Sequence, residues 1–386
     1  MALQFILGPS GAGKSEYIYE DIIRRTMQDE RENVIVLVPE QYSLEIQRKL
    51  VQKHPRGGSF QIDVIGFNRL AYRIFDELHI KPKKVLEDFG KSMLLRKAAQ
   101  EHKEELSLYA GSLDKAGFID EAKSLMSEIY QYDIPRERLR EALQKLDDSE
   151  EARVLARKLQ DMLVIFDAFE EKKGQSFIVA EQMLELLTAA AEQSELIAGS
   201  EIVLDGFTGF TPIQLNLISV LLRRAKKVTI VLTIDAATYE KKHVAEHELF
   251  ALTKQTIEHL LLTAEQAHVV VEPALFLGKD GCKRWSKGHP LEHLEQNLFR
   301  YPYRVGKDEE QAITITAYDT PAQELTGVAE QIRTLVMEQG YRYRDIAIVS
   351  GNLEETAEFA KRILPQYEIP YFIDMTMPVK NHPCVD

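Results

Sequence analysis

The sequence predicts an α/β fold: a parallel sheet, interrupted by an all-helical insertion and followed by the start of a second α/β unit. Three observations point there. Strand-like and helix-like segments alternate over the first 80 residues; glycines and β-branched runs then thin out over residues 86–198 while apolar residues recur at helical spacing; and strand character returns at residues 201–205 and 228–233.

Residues 4–7 read as a short apolar strand that runs into a glycine-rich turn. Tyr17, Ile18, Ile22 and Ile23 then fall at helical spacing within residues 14–28. Asn33-Val34-Ile35-Val36-Leu37-Val38 is a continuous apolar run closed by Pro39, the pattern of a strand buried on both faces. A second helix is expected over residues 43–53, a third strand over 61–67 and a third helix over 68–78. Strands separated by helices need crossover connections, which make the sheet parallel.

Within residues 86–198, Ile119, Ala122, Leu125, Met126 and Ile129 illustrate the helical period. The expected organisation is therefore one α/β domain from residues 1–85 plus 199–300, a helical insertion at 86–198, and a partial second α/β unit at 305–386. Residues 277–290, rich in Gly, Lys and His, read as an exposed loop. Strands are expected at residues 312–318, 345–349 and 370–373. The last residues include Pro378 and Pro383 and suggest a piece of a longer protein, a short irregular tail being the other reading.

At 386 residues the chain exceeds one ordinary domain, so two or three compact units are expected. An apolar content of 45% with 28% charged residues is that of a globular chain, and no apolar run is long enough to cross a bilayer. The first motif begins too early for a signal peptide. Cys282 and Cys384 cannot build a disulfide framework or a four-thiolate metal site. The expected compartment is the cytoplasm, with no membrane partner. A net charge of −13 excludes a surface that coats nucleic acid throughout, but not a local groove. The basic clusters Lys81, Lys83, Lys84 and Arg223, Arg224, Lys226, Lys227 are read more readily as solvated helix ends than as a nucleic-acid patch.

Gly8-Pro9-Ser10-Gly11-Ala12-Gly13-Lys14-Ser15 satisfies G-x-x-x-x-G-K-[ST] in full, with a strand before it and a helix after it. Such a loop turns backbone N–H groups toward phosphate oxygens, and the helix N-terminus adds its positive end. Lys14 is expected to reach the β- and γ-phosphates and Ser15 to ligate Mg²⁺, so ATP and Mg²⁺ are the expected cofactors. Hydrolysis also needs an acid for the metal and a group that orients water. Asp205, ending an apolar strand, is the candidate for the first; position 206, where a base would follow, is Gly206. Binding with little turnover is the expectation, and no residue is assigned a catalytic role.

Further segments carry a resemblance. Phe5 to Ser15, then Val36-Leu37-Val38-Pro39-Glu40-Gln41, then Val64-Ile65-Gly66-Phe67-Asn68-Arg69-Leu70-Ala71, and finally residues 345–349 and 369–374 occur in a specific order. In this combination the chain resembles the N-terminal part of the B-subunit family of AddAB-type bacterial helicase–nucleases, relatives of UvrD-like superfamily 1 helicases. The resemblance covers essentially the whole chain and implies a RecA-like P-loop NTPase fold. It also implies an A-subunit partner that carries the ATP-driven motor, and a role in double-strand break repair by homologous recombination. Recognition of a hotspot sequence on single-stranded DNA, a nuclease and its iron–sulfur cysteines complete the family picture, the last two in its C-terminal part. Departures matter equally. The second motor motif of active relatives, Asp-Glu-x-Gln-Asp, is matched by Asp205-Gly206-Phe207-Thr208-Gly209, an upstream adenine-reading glutamine is missing, and Ser350-Gly351 stand where an arginine is expected.

For DNA, Phe67, Asn68, Arg69 and Tyr72 offer aromatic faces and a cation at a strand end and its following helix; Gln41 and Tyr42 form a second candidate position. Tyr72 and Phe75 stand equally as core packing. His243-Val244-Ala245-Glu246-His247 fits the zinc-peptidase pattern H-x-x-E-H, but an exposed helix accounts for it better. Cys282, His289 and His293 match no common zinc spacing, so no metal site is expected there. Two other functions use the same loop: a small-molecule or nucleotide kinase, and a structural module in which the loop is a relic.

Overall fold

The computed structural model describes all residues except 82, 116, 147, 148, 175, 279–281, 308, 310 and 376–386, so Pro378, Pro383 and Cys384 lie outside the described residues. The chain divides into two compact units, Met1–Gly306 and Lys307–Asp386.

The first unit is built on a parallel sheet. In chain order its strands are β1 (Ala2–Gly8), β2 (Asn33–Leu37), β3 (Ile62–Ile65), β4 (Lys84–Val85), β5 (Phe177–Ile178), β6 (Ser200–Leu204), β7 (Lys227–Thr233), β8 (Val270–Val271) and β9 (Leu275–Phe276). The main sheet runs β3-β2-β6-β7-β1-β8, with β9 also on β1, and its neighbouring pairs are parallel. The pair β4–β5 forms a separate two-stranded ladder.

Alternation along each strand splits the apolar residues between two cores. Leu3, Phe5 and Leu7 join Ile35, Leu37, Ile202, Leu204, Ile230 and Leu232 in one. Ile6, Val34, Val36, Val64, Val203 and Val231 join the other. This is why the run at 34–38 is apolar at every position: both faces are covered. Helices α1 (Lys14–Gln28) and α2 (Ser43–Lys53) cover the second core with Ile18, Ile22, Ile46 and Leu50. Helix α3 (Phe67–Glu77) turns Leu70, Ile74 and Phe75 into the first core. Each such buried side chain contributes roughly 1.5–3 kcal/mol.

The stretch expected to be all-helical contains α4 (Asp88–Glu101), α5 (Phe118–Gln131), α6 (Arg136–Gln144), α7 (Glu150–Lys173), α8 (Ala180–Ala191) and α9 (Glu195–Ala198), but it also holds the short strand β5, which pairs with β4, so it is not helical throughout. Helices α4, α5 and α7 share their own core around Leu95, Met126, Ile165 and Phe169. Helices α8 and α9 instead pack Met183, Leu187, Ala191 and Ile197 into the sheet's first core. There they meet α10 (Pro212–Arg224), while α12 (Ala251–Gln266) adds Ile257 and Leu260; the short α11 (Ala236–Glu240) precedes it, and α13 (Pro290–Asn297) follows β9.

In the second unit α14 (Pro321–Gln339) and α15 (Leu353–Ile363) pack through Leu325, Ala329, Ile332, Ala360 and Ile363. The strands expected at 312–318, 345–349 and 370–373 are not formed among the described residues. A strand exists only as part of a ladder, and Ile315, Val349 and Phe372 turn to solvent instead of to a neighbour. Among the described residues no helix is long and apolar enough to cross a membrane.

Candidate functional site

Strand β1 leads into α1 on one face of the sheet, whereas its neighbour β7 leads on to α12 on the other. Adjacent strands feeding opposite faces leave a crevice beyond their carboxyl ends, and the loop from Gly8 to Ser15 lies there. Gly11 and Gly13 adopt φ of 74° and 82°, left-handed values that side chains resist. Gly13 is the residue before α1, so the helix's first N–H groups open directly from the loop. The buried Lys14 side chain folds along the loop, its Nζ donating to the carbonyls of Gly8 at 2.9 Å and Pro9 at 2.8 Å. Burial pushes this amine down to about 8, against the charges of Asp205 and Glu295 and with the help of Arg284.

Asp205 follows β6 directly and is buried, with β7 between its strand and β1. Its Oδ2 accepts from the Tyr19 hydroxyl at 2.6 Å, and its Oδ1 accepts from the Gly206 N–H at 2.9 Å. Burial first, and then the Asp205 charge and hydrogen bond, push the Tyr19 phenol well above its ordinary range. Both carboxylate oxygens are thus engaged by the protein. Tyr19 is a residue that the motif reading passes over. Its spacing is the available signal, because four residues beyond Ser15 lies one helical turn on the same face.

The segment expected as an exposed loop reaches this site. Strand β9 runs beside β1, the Leu277 N–H donates to the Leu7 carbonyl at 2.8 Å, and the Lys283 N–H donates to the Gly11 carbonyl at 3.1 Å. Cys282 Sγ lies 3.4 Å from the Ser10 carbonyl oxygen that accepts from it. His289 and His293 are employed elsewhere: the first accepts from the Leu291 N–H at the start of α13, and the ring of the second meets the Arg304 carbonyl. Among the described residues no three His, Cys, Asp or Glu side chains gather as a metal site. Residues 243–247 are irregular and turn-like, not the expected exposed helix. Glu248 closes a turn by accepting from the Ala245 N–H and from Lys241, so the helical face that H-x-x-E-H requires does not exist.

The nucleic-acid candidates sit beyond the carboxyl ends of the adjacent strands β2 and β3. Gln41 and Tyr42 occupy a short 3-10 turn and are exposed. The carboxylate of Glu40 in that turn lies against Gly66 and accepts the Asn68 N–H at 3.0 Å, capping α3 and tying the two positions together. Asn68, Arg69 and Tyr72 face solvent, whereas Phe75 is core. Phe67 opens α3 instead of ending the strand. It is half-buried against Phe207 (ring centroids 5.5 Å apart), which meets Phe210 at 5.2 Å. Phe207 stands two residues past Asp205, so this aromatic row links the two places; the F-x-x-F spacing after Asp205 is the sequence signal for it.

Fold and site together define a parallel α/β protein with a glycine-rich turn between its first strand and first helix and a polar, aromatic face beyond β2 and β3. The family model described as ADDB, N-terminal, matches residues 5–295, and the chain belongs to that family. It is similar to proteins named as the B subunit of ATP-dependent helicase/deoxyribonuclease. The relative from Lachnoclostridium phytofermentans is 38% identical over 390 residues, covering 100% of this chain and 34% of the relative. Those from Clostridium novyi and Alkaliphilus metalliredigens are 31% and 33% identical, each covering 100% of this chain and 33% of the relative. The chain thus spans about a third of the length of these curated relatives.

Proposed function

We propose that this chain is the nucleotide-holding, DNA-contacting part of the B subunit of an ATP-dependent helicase–deoxyribonuclease. The complex would act in the cytoplasm in double-strand break repair by homologous recombination. In this reading its α/β unit is a P-loop NTPase-type domain in a degenerate motor. The loop from Gly8 to Ser15 and the first turn of α1 hold the phosphates of ATP, with Lys14 as the cation and Ser15 beside Mg²⁺. The A subunit of the heterodimer supplies the working motor, and this chain supplies a scaffold and a contact for single-stranded DNA.

The observation that carries the reading is the pairing of an intact phosphate loop with an engaged acid. Asp205 is held by Tyr19 and the Gly206 N–H, and the next residue offers no base. A base that orients water contributes about 10²- to 10⁴-fold, so its absence favours holding nucleotide over hydrolysing it. The relatives' names, which describe the B subunit of a helicase/deoxyribonuclease, support a partner subunit and a DNA substrate. The exposed set of Gln41, Asn68, Arg69 and Tyr72 supports contact with unpaired bases and phosphates. Titration of ATP–Mg²⁺ into wild type and Lys14→Ala, with hydrolysis followed in parallel, tests the nucleotide part. Phosphoryl transfer to a small acceptor would favour a kinase instead, and equal heat in the two proteins would make the loop a relic.

A further inference from the structure

The phosphate loop is covered along its outer rim by a segment from far along the chain. Strand β9 delivers it, since pairing with β1 carries residues 275–277 to the same carboxyl edge at which the loop begins. The approach is close. A Cβ added to Gly8 would lie 2.4 Å from the Leu277 carbonyl oxygen, one on Gly11 would lie 2.5 Å from Cys282 Sγ, and one on Gly13 would lie 3.0 Å from Lys283 Cδ. The loop's glycines therefore make room for this segment as well as for the loop's own turn. Hydrogen bonds from Lys283 N–H to Gly11 and from Cys282 Sγ to Ser10 use carbonyls, and among the described residues none of the segment's bonds takes a loop N–H.

Resting on the nucleotide-holding reading above, we propose that residues 282–285 belong to the nucleotide site, with Lys283 and Arg284 as additional ligands for the polyphosphate of a nucleoside triphosphate. Both side chains are exposed at the rim. The Arg284 guanidinium lies 5.6 Å from the Trp285 ring centroid, and Arg284 adds to the depression of Lys14 while Lys283 adds to that of Glu16 at the head of α1. Three cations thus converge on one loop in a chain whose net charge is −13. Their mutual repulsion is the arrangement that a bound polyphosphate relieves. Cys282 contributes a compact seat against Gly11 and Ser10.

Trp285 is the chain's one tryptophan, so its fluorescence reports this segment directly. ATP–Mg²⁺ is titrated into wild type, Lys14→Ala, Lys283→Ala/Arg284→Ala and Lys283→Glu/Arg284→Glu, by fluorescence and calorimetry, with thermal melts as the fold control. The alanine pair is expected to weaken binding by about tenfold or more, and the glutamate pair further, with unchanged melting. Wild-type or tighter binding by either pair, including binding that appears only when the cations are removed, overturns the proposal and makes the segment a cover that competes with phosphate. Such an outcome leaves the nucleotide reading standing as long as Lys14→Ala still weakens binding. Absence of binding in wild type and in every variant overturns both.

Discussion

Lys14 keeps its amine in a place where burial disfavours the charge, and the charges of Asp205 and Glu295 compensate only in part. With the free amine brought down to about 8, a bound phosphate, which favours the protonated form, holds the proton to higher pH. The affinity for ATP–Mg²⁺ should therefore fall as pH rises through about 8, by up to about tenfold per pH unit. Calorimetry across that range checks it, and a flat affinity between about pH 7 and about pH 9.5 would remove Lys14 from the binding role. Tyr19 makes the second residue-scale case. Tyr19→Phe keeps the ring and deletes the hydroxyl, leaving Asp205 Oδ2 buried without its donor. A loss of about 1–3 kcal/mol in urea unfolding is expected; no loss would mean that the pair is not a settled part of the fold.

At the scale of elements, α3 shows how an exposed polar face and a core face share one helix. Leu70, Ala71, Ile74 and Phe75 are buried, while Asn68, Arg69 and Tyr72 lie outside. Arg69→Ala should leave stability within roughly 0.5 kcal/mol of wild type. The same variant should weaken single-stranded DNA binding and reduce the salt slope by about 1. Phe75→Ala should instead cost about 3–5 kcal/mol of stability. Unchanged DNA binding in Arg69→Ala would move the contact away from α3. In the helical region, the Asp161 carboxylate on α7 accepts the N–H groups of Ser107, Leu108 and Tyr109 at 2.7–2.8 Å. Burial alone would raise this carboxyl; the three backbone donors outweigh it and hold it below the usual carboxylate range. A depressed acid stabilises above its unfolded value and loses that contribution as pH falls through the folded one, so Asp161→Ala should lower stability at neutral pH and flatten the acid limb of the unfolding profile. An unchanged limb would contradict this.

Over the whole molecule, legibility followed the range of the interaction that decides each feature. The bounds of α1 and α2 could be read directly, because a glycine turn, a proline and apolar spacing are local signals. So could the parallel sheet of the first unit, since runs such as 34–38 require two covered faces. Features set by distant partners could not. Phe67 enters α3 because Gly66 and the Glu40 carboxylate begin the helix there. The segment 282–285 reaches the phosphate loop because β9 pairs with β1 across more than half the chain. The apolar stretches of the second unit had the right composition but form no ladder among the described residues. Of the candidate site, the glycine-rich turn was legible as a motif; the surroundings of Tyr19, Phe207, Lys283 and Arg284 are set by packing that spacing alone only hints at.

The central claim, a loop that holds nucleotide beside an acid that does not work it, is met most directly by measuring binding and hydrolysis of ATP–Mg²⁺ on the same protein. Saturable binding by wild type, weakened about tenfold or more in Lys14→Ala, is expected together with a kcat below about 1 s⁻¹. A kcat above that value for this chain alone, or equal binding by wild type and Lys14→Ala, would contradict it.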